Sequence, residues 1–152
     1  MITFKRSADF ELIRSIMIDP RLFDAAADDF TGSSENWEPR RDTGIWYVLA
    51  FDGDRLLGLF ALAPQSNICW EIHTRLLPVA WGAIAAAAAA AVVPWIWANT
   101  PCVRLVTICP SYNRLAIRFA EKAGMVRYGL NPQSWLKNSR LHDQVLLGLS
   151  KD

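Results

Sequence analysis

The chain has 152 residues, of which 52% are hydrophobic and 20% are charged, and its 16 basic and 15 acidic side chains leave a formal net charge of +1. These values suit one globular domain over residues 1–152 and exclude a disordered chain. They also exclude the strongly basic surface that nucleic acid or an anionic membrane would need, so we expect neither as a partner.

The first 42 residues are predicted to form one short strand, two helices and a loop. Ile2–Phe4 suit a strand, and Ser7 is a plausible N-cap for a helix whose apolar residues recur at helical spacing. Asp19 and Pro20 predict the start of a second helix, because aspartate caps helices and proline suits their first turn. Residues 31–42 are polar and are predicted to form a loop. The N-terminus lacks the apolar core of a signal peptide, so we expect a cytoplasmic protein.

Three strands are predicted next. Residues 45–51 and 56–63 are apolar runs on either side of Asp52-Gly53, which is a strong signal for the tight turn of a β-hairpin. Residues 67–76 alternate between two faces. One face carries Ile68, Trp70, Ile72, Thr74 and Leu76, and the other carries Cys69, Glu71, His73 and Arg75. We therefore expect one face of this strand in the core and the other to be polar.

Residues 76–103 carry no charge and include seven consecutive alanines, Ala85–Ala91. This length would allow a membrane span, but prolines and Gly82 interrupt it, and alanine gains little from insertion into a bilayer. We favour instead a strand end, a glycine-containing turn and an alanine-rich helix. Pro94 is expected to end that helix, because proline lacks the amide that the carbonyl of Ala90 would bind.

The remaining third is predicted to form a strand over residues 103–109, a helix after Pro110-Ser111, and strands over residues 126–130 and 145–149. Leu115, Phe119 and Ala123 lie on one side of the helix, and Gly124 marks its end. The order β-α-α-β-β-β-α-β-α-β-β predicts an α/β sandwich with helices over one mixed sheet. The cysteines, Cys69, Cys102 and Cys109, form no CxxC pair, so we expect buried thiols without a disulfide or a metal site.

Two features point to chemistry. Leu76–Ala85 run from a strand through a glycine turn into a helix, a layout that gathers unpaired amides and the positive helix end into an anion site. Residues 113–125 read NRLAIRFAEKAGM. This segment resembles the late helix of the GNAT superfamily of N-acetyltransferases, which reads Asn, then Ala three residues on, then Tyr-Glu-Lys, then Gly-Phe. The predicted element order matches that fold from Ile2 to about Leu149, which implies a mixed, mostly antiparallel sheet with helices on both faces.

The resemblance implies transfer of an acetyl group from acetyl-CoA to a small-molecule or protein amine. It makes the strand end at Leu76 and Leu77 the segment that pairs with the pantetheine arm. The pyrophosphate loop would be Val79–Ile84, with Val79, Trp81, Gly82, Ala83 and Ile84 against the cofactor. Only Gly82 keeps the pattern of that loop, since Val79 replaces a polar residue and Ile84 a small one. Asn113 matches a cofactor-contacting asparagine, and capping of its own helix is an equally good interpretation.

The acceptor ammonium must lose a proton before it attacks, which requires a carboxylate or imidazole base. Glu71 and His73 project from the same face of the central strand and are the candidates for base and substrate orientation. The alternative is a surface ion pair with Arg75 that has no catalytic role. Ala120 occupies the position of the tyrosine that serves the family as general acid. Tyr112 and Tyr128 are near enough in the chain to replace it, although aromatic packing is the simpler role for each.

A second interpretation is a GNAT-like module that binds or assembles rather than catalyses, since small proteins of this kind occur among phage-encoded proteins, including head-assembly proteins. The departures at Val79, Ile84 and Ala120 favour it. Among the seven tryptophans, Trp81 in the loop is expected to point away from a phosphate and to line an acceptor or partner surface, whereas Trp46 and Trp70 suit core packing. Exposed tryptophans would also favour a homodimer.

Overall fold

The structure is a computed structural model that describes residues 1–42 and 44–152. The strands are β1 (Ile2–Ser7), β2 (Trp46–Asp52), β3 (Arg55–Pro64), β4 (Cys69–Leu76), β5 (Arg104–Pro110), β6 (Val126–Lys137) and β7 (Arg140–Ser150). The α-helices are α1 (Phe10–Met17), α2 (Pro20–Ala26), α3 (Ala83–Asn99) and α4 (Arg114–Lys122), and a short 3-10 helix covers Pro78–Ala80. The predicted order of strands and α-helices is confirmed.

All seven strands form one sheet in the order β1-β2-β3-β4-β5-β7-β6. The only parallel pair in the described sheet is β4 with β5, and every other neighbour is antiparallel. A parallel pair needs a crossover connection, which α3 provides. The mixed, mostly antiparallel sheet that the sequence predicted is therefore confirmed.

Helices cover both faces of this sheet, as expected. On one face, α3 and α4 pack against strand residues that include Phe60, Trp70 and Leu105, all of them buried. On the other face, Ile13 and Ile16 of α1 pack with residues of β2 and β3. Trp70 and Ile72 of β4 lie in the first core, which leaves Glu71, His73 and Arg75 on the α1 side of the sheet, as the alternation predicted.

Two predicted starts are wrong by a few residues. Ser7 ends β1 instead of capping α1, because β1 pairs with β2 as far as the Ser7–Tyr47 register. The N-cap is Asp9, whose carboxylate accepts the N–H of Leu12 at 3.1 Å. Strand β4 begins at Cys69, and Ile68 lies before it with 54% of its surface exposed. By contrast, Asp19 caps α2 and Pro20 opens it, as predicted.

The hairpin turn between β2 and β3 also lies one residue later than predicted. Asp52 and Arg55 pair across the hairpin, which makes Gly53 and Asp54 the turn residues. Gly53 has φ +60°, a left-handed conformation that glycine adopts readily.

Helix α3 continues through Pro94 to Asn99, so the prediction that Pro94 ends it is wrong. Proline removes only the hydrogen bond to the carbonyl of Ala90, and both residues are exposed, so water can bind that carbonyl. The alanines do give α3 a narrow packing face, since Ala85, Ala88 and Ala89 are buried. None of the helices that the structure describes is long and apolar enough to cross a membrane.

The C-terminal third differs most from expectation. In α4 the buried residues are Ile117 and Ala120, whereas Leu115 is 79% exposed. Gly124 follows the helix with φ +99°, as its predicted role as terminator requires. Strands β6 and β7 are roughly twice as long as predicted and form one hairpin, whose turn at Asn138 and Ser139 uses positive φ at non-glycine residues.

Candidate active site

Strands β4 and β5 pair over only three residues each, Cys69–Glu71 with Arg104–Val106. Beyond this point β4 runs on to Leu76 and β5 to Pro110 without pairing to each other, which opens a wedge between them that we call the cleft. At its apex the hydroxyl of Thr107 donates to the carbonyl of Ile72 at 2.9 Å. A side chain thus replaces the backbone amide that a continuing ladder would supply.

The backbone of β4 presents hydrogen-bonding groups to the cleft. The amide of Leu77 donates to the Leu57 carbonyl, so this residue bonds to β3. Successive residues of a strand direct their backbone groups to opposite neighbours, so the amides and carbonyls of Ile72, Thr74 and Leu76 point toward β5. The Thr74 carbonyl accepts from Arg75 Nη1 at 2.8 Å, and the Leu76 carbonyl accepts from Trp81 Nε1 at 2.9 Å. Two amides, those of Thr74 and Leu76, face the cleft without a bond to β5.

The end of β4 leads directly to the N-terminus of α3. Gly82 precedes the helix with φ +95° and ψ −134°, and a Cβ added there would meet nothing within 4 Å. None of the described side chains caps this helix. Its first backbone bond is from Ala86 to Gly82, so the amides of residues 83–85 have no partner within the helix. These unbonded amides at a helix N-terminus are the feature on which the predicted anion site depends.

The side chains of the predicted pyrophosphate loop divide into two groups. Ile84 packs against the core, so its bulk does not occupy the loop surface. Val79 and Trp81 are 48% and 56% exposed. The indole of Trp81 folds back and donates to the Leu76 carbonyl, and this bond does not test the prediction that Trp81 points away from a phosphate. It is the exposed member of the seven tryptophans, while Trp70 is buried and packs edge-on against the partly buried Trp46, their ring centroids 5.4 Å apart.

Glu71 and His73 lie side by side next to the start of the cleft. His73 Nε2 is 3.4 Å from Glu71 Oε1, with side-chain exposures of 35% and 24%. The His73 imidazole, acting through this long hydrogen bond, lowers the pKa of Glu71 below its usual value, against the opposing effect of partial burial. Glu71 is therefore ionised at neutral pH and orients the imidazole beside it.

Arg75 does not join this pair, so the predicted surface ion pair of Glu71, His73 and Arg75 is wrong for the arginine. Its guanidinium turns to the Thr74 carbonyl and lines a cavity of about 150 Å³ on the α1 side of the sheet. The cavity is also lined by Met17, Phe23, Ala26, Ala27, Thr31 and Trp37. Burial lowers the pKa of Arg75 from its ordinary high value. Within the described chain no carboxylate lies at ion-pairing distance from it.

Two cations fasten the loop that follows α2 and contributes Thr31 and Trp37 to the lining of this cavity. Arg14 donates from Nε to the Trp37 carbonyl at 2.9 Å and from Nη2 to the carbonyls of Ser34 and Glu35. Lys137 of β6 donates from Nζ to the carbonyls of Asp24 and Ala27 at 2.8 and 2.7 Å. The loop therefore holds Trp37 by backbone bonds to side chains that come from other parts of the sequence.

Near α4, Asn113 acts as a helix cap, and Ala120 stands where the family has a tyrosine. Asn113 caps α4, since its Oδ1 accepts the N–H of Ala116 at 3.2 Å; this bond does not test a contact with a cofactor. Ala120 is buried in the core. The Tyr112 hydroxyl accepts from Trp135 Nε1 at 2.9 Å, and the ring of Tyr128 lies 5.1 Å from the Arg104 guanidinium, so both tyrosines have packing partners away from the cleft.

Sequence reasoning missed three contributors to the site. Thr107 was taken only as part of a strand, and no local signal marks a hydroxyl at a strand divergence. The lining of the Arg75 cavity comes from residues 17–37, which only the tertiary fold brings to β4. Gly58 of β3 did carry a signal, as a glycine inside a strand, and a Cβ there would lie 2.3 Å from the Arg75 carbonyl oxygen.

Comparison with known proteins agrees with this architecture. No curated protein sequence matches the chain significantly. Among solved structures, a spermidine N-acetyltransferase from Vibrio cholerae in complex with CoA and spermine is 15% identical, with a TM-score of 0.80 over 99% of this chain and 95% of its own. A putative acetyltransferase from Salmonella typhimurium with acetyl-CoA is 19% identical, with a TM-score of 0.73 over 99% and 94%. A putative phosphinothricin N-acetyltransferase is 14% identical, with a TM-score of 0.75 over 100% and 99%.

These likenesses establish the fold. The family assignment comes from a sequence model described as an acetyltransferase (GNAT) domain, which matches residues 4–126. The match covers β1 through the start of β6 and includes the cleft, the α3 N-terminus and the Glu71–His73 pair. The chain therefore belongs to the GNAT acetyltransferase family.

Proposed function

We propose that this chain is an N-acetyltransferase that uses acetyl-CoA to acetylate an amine. The observation that carries the proposal is the cleft between β4 and β5, which opens beside Glu71 and ends at the unpaired N-terminus of α3. One continuous surface thus offers strand-like hydrogen bonds, an anion site and a base. The structures from Vibrio cholerae and Salmonella typhimurium, which contain CoA and acetyl-CoA, support the choice of cofactor.

The residues present fit acetyl-CoA. The cleft-facing amide of Leu76 would hold the amide-bearing pantetheine arm, and the amides following Gly82 would hold the pyrophosphate. Gly82 leaves open space where a side chain would stand, which allows close backbone approach. Bound there, acetyl-CoA would supply an acetyl thioester, a carbonyl activated toward a neutral amine. Because Trp81 already donates to the Leu76 carbonyl, a ligand amide at that carbonyl would have to replace the indole.

The protein residues then have separate tasks. Glu71 and His73 would accept the proton that the acceptor ammonium must lose, and the lowered pKa of Glu71 keeps its carboxylate charged for this purpose. The cleft-facing amide of Thr74, the one nearer Glu71 and His73 along β4, is a preorganised donor that would stabilise negative charge developing on the thioester oxygen. With Ala120 buried and Tyr112 and Tyr128 packed elsewhere, water would protonate the departing thiol sulfur.

The test combines binding and turnover. We expect acetyl-CoA to bind in a calorimetric titration and coenzyme A to be released when an amine panel is added. Gly82→Ala would strain the backbone at φ +95° and lower acetyl-CoA affinity by roughly 10-fold or more. Gly53→Ala is the matched control, with positive φ at a turn outside the cleft. Wild-type protein that fails to bind acetyl-CoA at millimolar concentration would overturn the proposal.

One set of observations favours a second candidate, a GNAT-like binding or assembly module. Arg75 and Trp81 already occupy carbonyls in the cleft, and the general-acid tyrosine of the family is replaced by the buried Ala120. Binding of acetyl-CoA without coenzyme A release for any amine would favour this module. Release that Glu71→Ala abolishes would exclude it.

A further inference from the structure

Arg75 is a cation that lines a cavity, and no carboxylate of residues 1–42 or 44–152 forms an ion pair with it. Its only hydrogen bond among the described residues is the one from Nη1 to the neighbouring Thr74 carbonyl. A guanidinium has five N–H donors in a planar fork, so most of its donors are left for a ligand. The side chain is partly buried, and such a charge is costly to bury unless an anion pairs with it.

The guanidinium lies at the entrance to the cleft. The Thr74 carbonyl that it binds is one of those turned toward β5. From the other strand, the thiol of Cys109 experiences the positive charge of Arg75, which opposes the rise in pKa that burial of this thiol causes. Arg75 and His73 are two residues apart on one face of β4, about 6–7 Å along the strand. An amine held at Glu71 and His73 would therefore have the Arg75 guanidinium within the reach of a small substrate.

The walls of the cavity are otherwise apolar, apart from Thr31. Met17, Phe23, Ala26 and Trp37 line it, and its volume is about 150 Å³, enough for a short aliphatic or thioether side chain. The bond from Arg14 Nε to the Trp37 carbonyl fixes the backbone of Trp37, which is one of the lining residues.

Several acids in this part of the molecule already have cationic or hydrogen-bonding partners. Asp19 pairs with Arg21 at 2.7 Å, Glu38 with Arg14 at 3.4 Å, Asp24 with Lys137 at 3.3 Å and Glu71 with His73 at 3.4 Å. Asp28 Oδ1 accepts from the Thr31 hydroxyl and the amide of Phe30. A polyamine would meet the like charge of the partly buried Arg75 here, which disfavours its binding.

We propose that the acceptor is a small apolar amino acid or a similar amine, with its carboxylate bound by Arg75 and its side chain in the cavity that Met17 and Trp37 line. This inference rests on the proposed acetyltransferase function and names its substrate class. A carboxylate matches the fork of Arg75 in a bidentate pair, and the amine is then directed to Glu71 and His73. The base takes one proton from the ammonium, and the neutral amine then forms the C–N bond of the amide as the thioester C–S bond breaks. The second proton leaves the nitrogen, the coenzyme A thiolate is protonated through water, and coenzyme A departs as the free thiol.

The test uses matched acceptors in an assay of coenzyme A release. L-Leucine, L-methionine and L-phenylalanine are compared with their amides, with 3-methylbutylamine and with spermidine. We expect the carboxylated amine of at least one pair to have a kcat/KM roughly 10- to 100-fold above its amide, the range that loss of hydrogen bonds to a charged group gives. The amine of an amide is less basic than that of the free acid, so without carboxylate recognition the amide would be the better substrate.

Variants then assign the preference to Arg75. Arg75→Gln should raise the KM for the carboxylated amine by roughly the same 10- to 100-fold and so remove the preference for the acid over its amide. Arg75→Lys, which keeps the charge but loses the fork, should fall between. A calorimetric comparison of N-acetyl-leucine with N-acetyl-leucinamide gives a readout apart from turnover, and the acid should bind more tightly.

The outcomes separate the two proposals. Equal or better turnover of amides or spermidine, or a preference that Arg75→Gln leaves intact, overturns the substrate class but keeps the acetyltransferase. Failure to release coenzyme A with every amine of the panel overturns the acetyltransferase itself. The comparison of acids with amides is made on wild-type protein, so it stands even if a variant fails to fold.

Discussion

Gly58→Ala is expected to destabilise the protein and to displace β4 at the site. Gly58 has φ +137°, and a Cβ there would lie 2.3 Å from the carbonyl oxygen of Arg75 and 2.7 Å from the Cα of Leu76. Both contacts are with backbone, so no side-chain rotation relieves them. Strand β3 would have to move away from β4 at the two residues that border the cleft and its cavity.

The magnitude follows from two costs. Forcing a side chain into this φ region costs on the order of 1–3 kcal/mol, and overpacking of a close contact costs about 1–3 kcal/mol. The reduced entropy of the unfolded chain returns about 0.4–1 kcal/mol. We therefore expect the free energy of unfolding of Gly58→Ala to fall by about 3 kcal/mol, which for a domain of this size lowers Tm by roughly 6–12 °C.

Chemical denaturation measures this change, and two other glycines provide controls. Gly53→Ala retains the positive φ without any clash and should cost about 1 kcal/mol. Gly44→Ala has neither problem, so its stability should be unchanged or raised by at most about 1 kcal/mol. If Gly58→Ala costs no more than Gly53→Ala, the close approach of β3 to β4 does not constrain the site and the reasoning fails.

Three further predictions concern the site and its supports. Glu71→Gln should lower kcat by about 10²-fold with acetyl-CoA affinity unchanged. Because His73 lowers the pKa of Glu71, the loss of wild-type activity that protonation of Glu71 causes should occur at a pH below the ordinary titration range of a glutamate. A variant that keeps more than half of the wild-type kcat would exclude Glu71 as the base. Thr107→Val should lower the free energy of unfolding by about 1–3 kcal/mol, because it leaves the Ile72 carbonyl without its hydrogen-bond donor. Thr107→Ser keeps the hydroxyl and should be close to wild type in stability. Equal losses of stability in both variants would show that the hydroxyl does not matter. Hydrogen bonds from Arg21 lower the pKa of Asp19 to about 2. The stabilisation of the folded state by ionised Asp19 is therefore present above the ordinary aspartate pKa and disappears as the pH falls toward 2. An NMR titration in which Arg21→Gln leaves the pKa of Asp19 unchanged would refute this role of Arg21.

Much of the fold could be predicted because its elements carry local signals. The alternation of β4 identified which side chains enter the core, and the tight-turn signal identified the β2–β3 hairpin. Gly82 and the Glu71–His73 pair were also found locally, since an anion site and a pair of residues on one strand face depend on neighbours in the chain. For Pro94 the residue type alone predicted a helix end, whereas its exposure decides that the helix continues.

The acceptor side could not be predicted, for a physical reason. Arg75 takes its surroundings from α1, α2 and the loop after α2, which are brought to β4 only when the sheet is formed. A charge on the polar face of a strand normally suggests a surface ion pair, and the sequence offers Glu71 as a partner. The structure shows that His73 takes this partner, which leaves the arginine to the cavity.

The three-residue pairing of β4 with β5 also determines how a ligand would change the stability of the protein. The sheet consists of two hydrogen-bonded halves, β1–β4 and β5–β7, whose shared ladder ends at Glu71 and Val106. A ligand that binds in the cleft acts as an additional strand and couples the two halves, so its binding free energy is added to the stability of the folded state. Amide hydrogens of Thr74 and Leu76 should then exchange more slowly when acetyl-CoA is present, whereas those at the β2–β3 turn should not change.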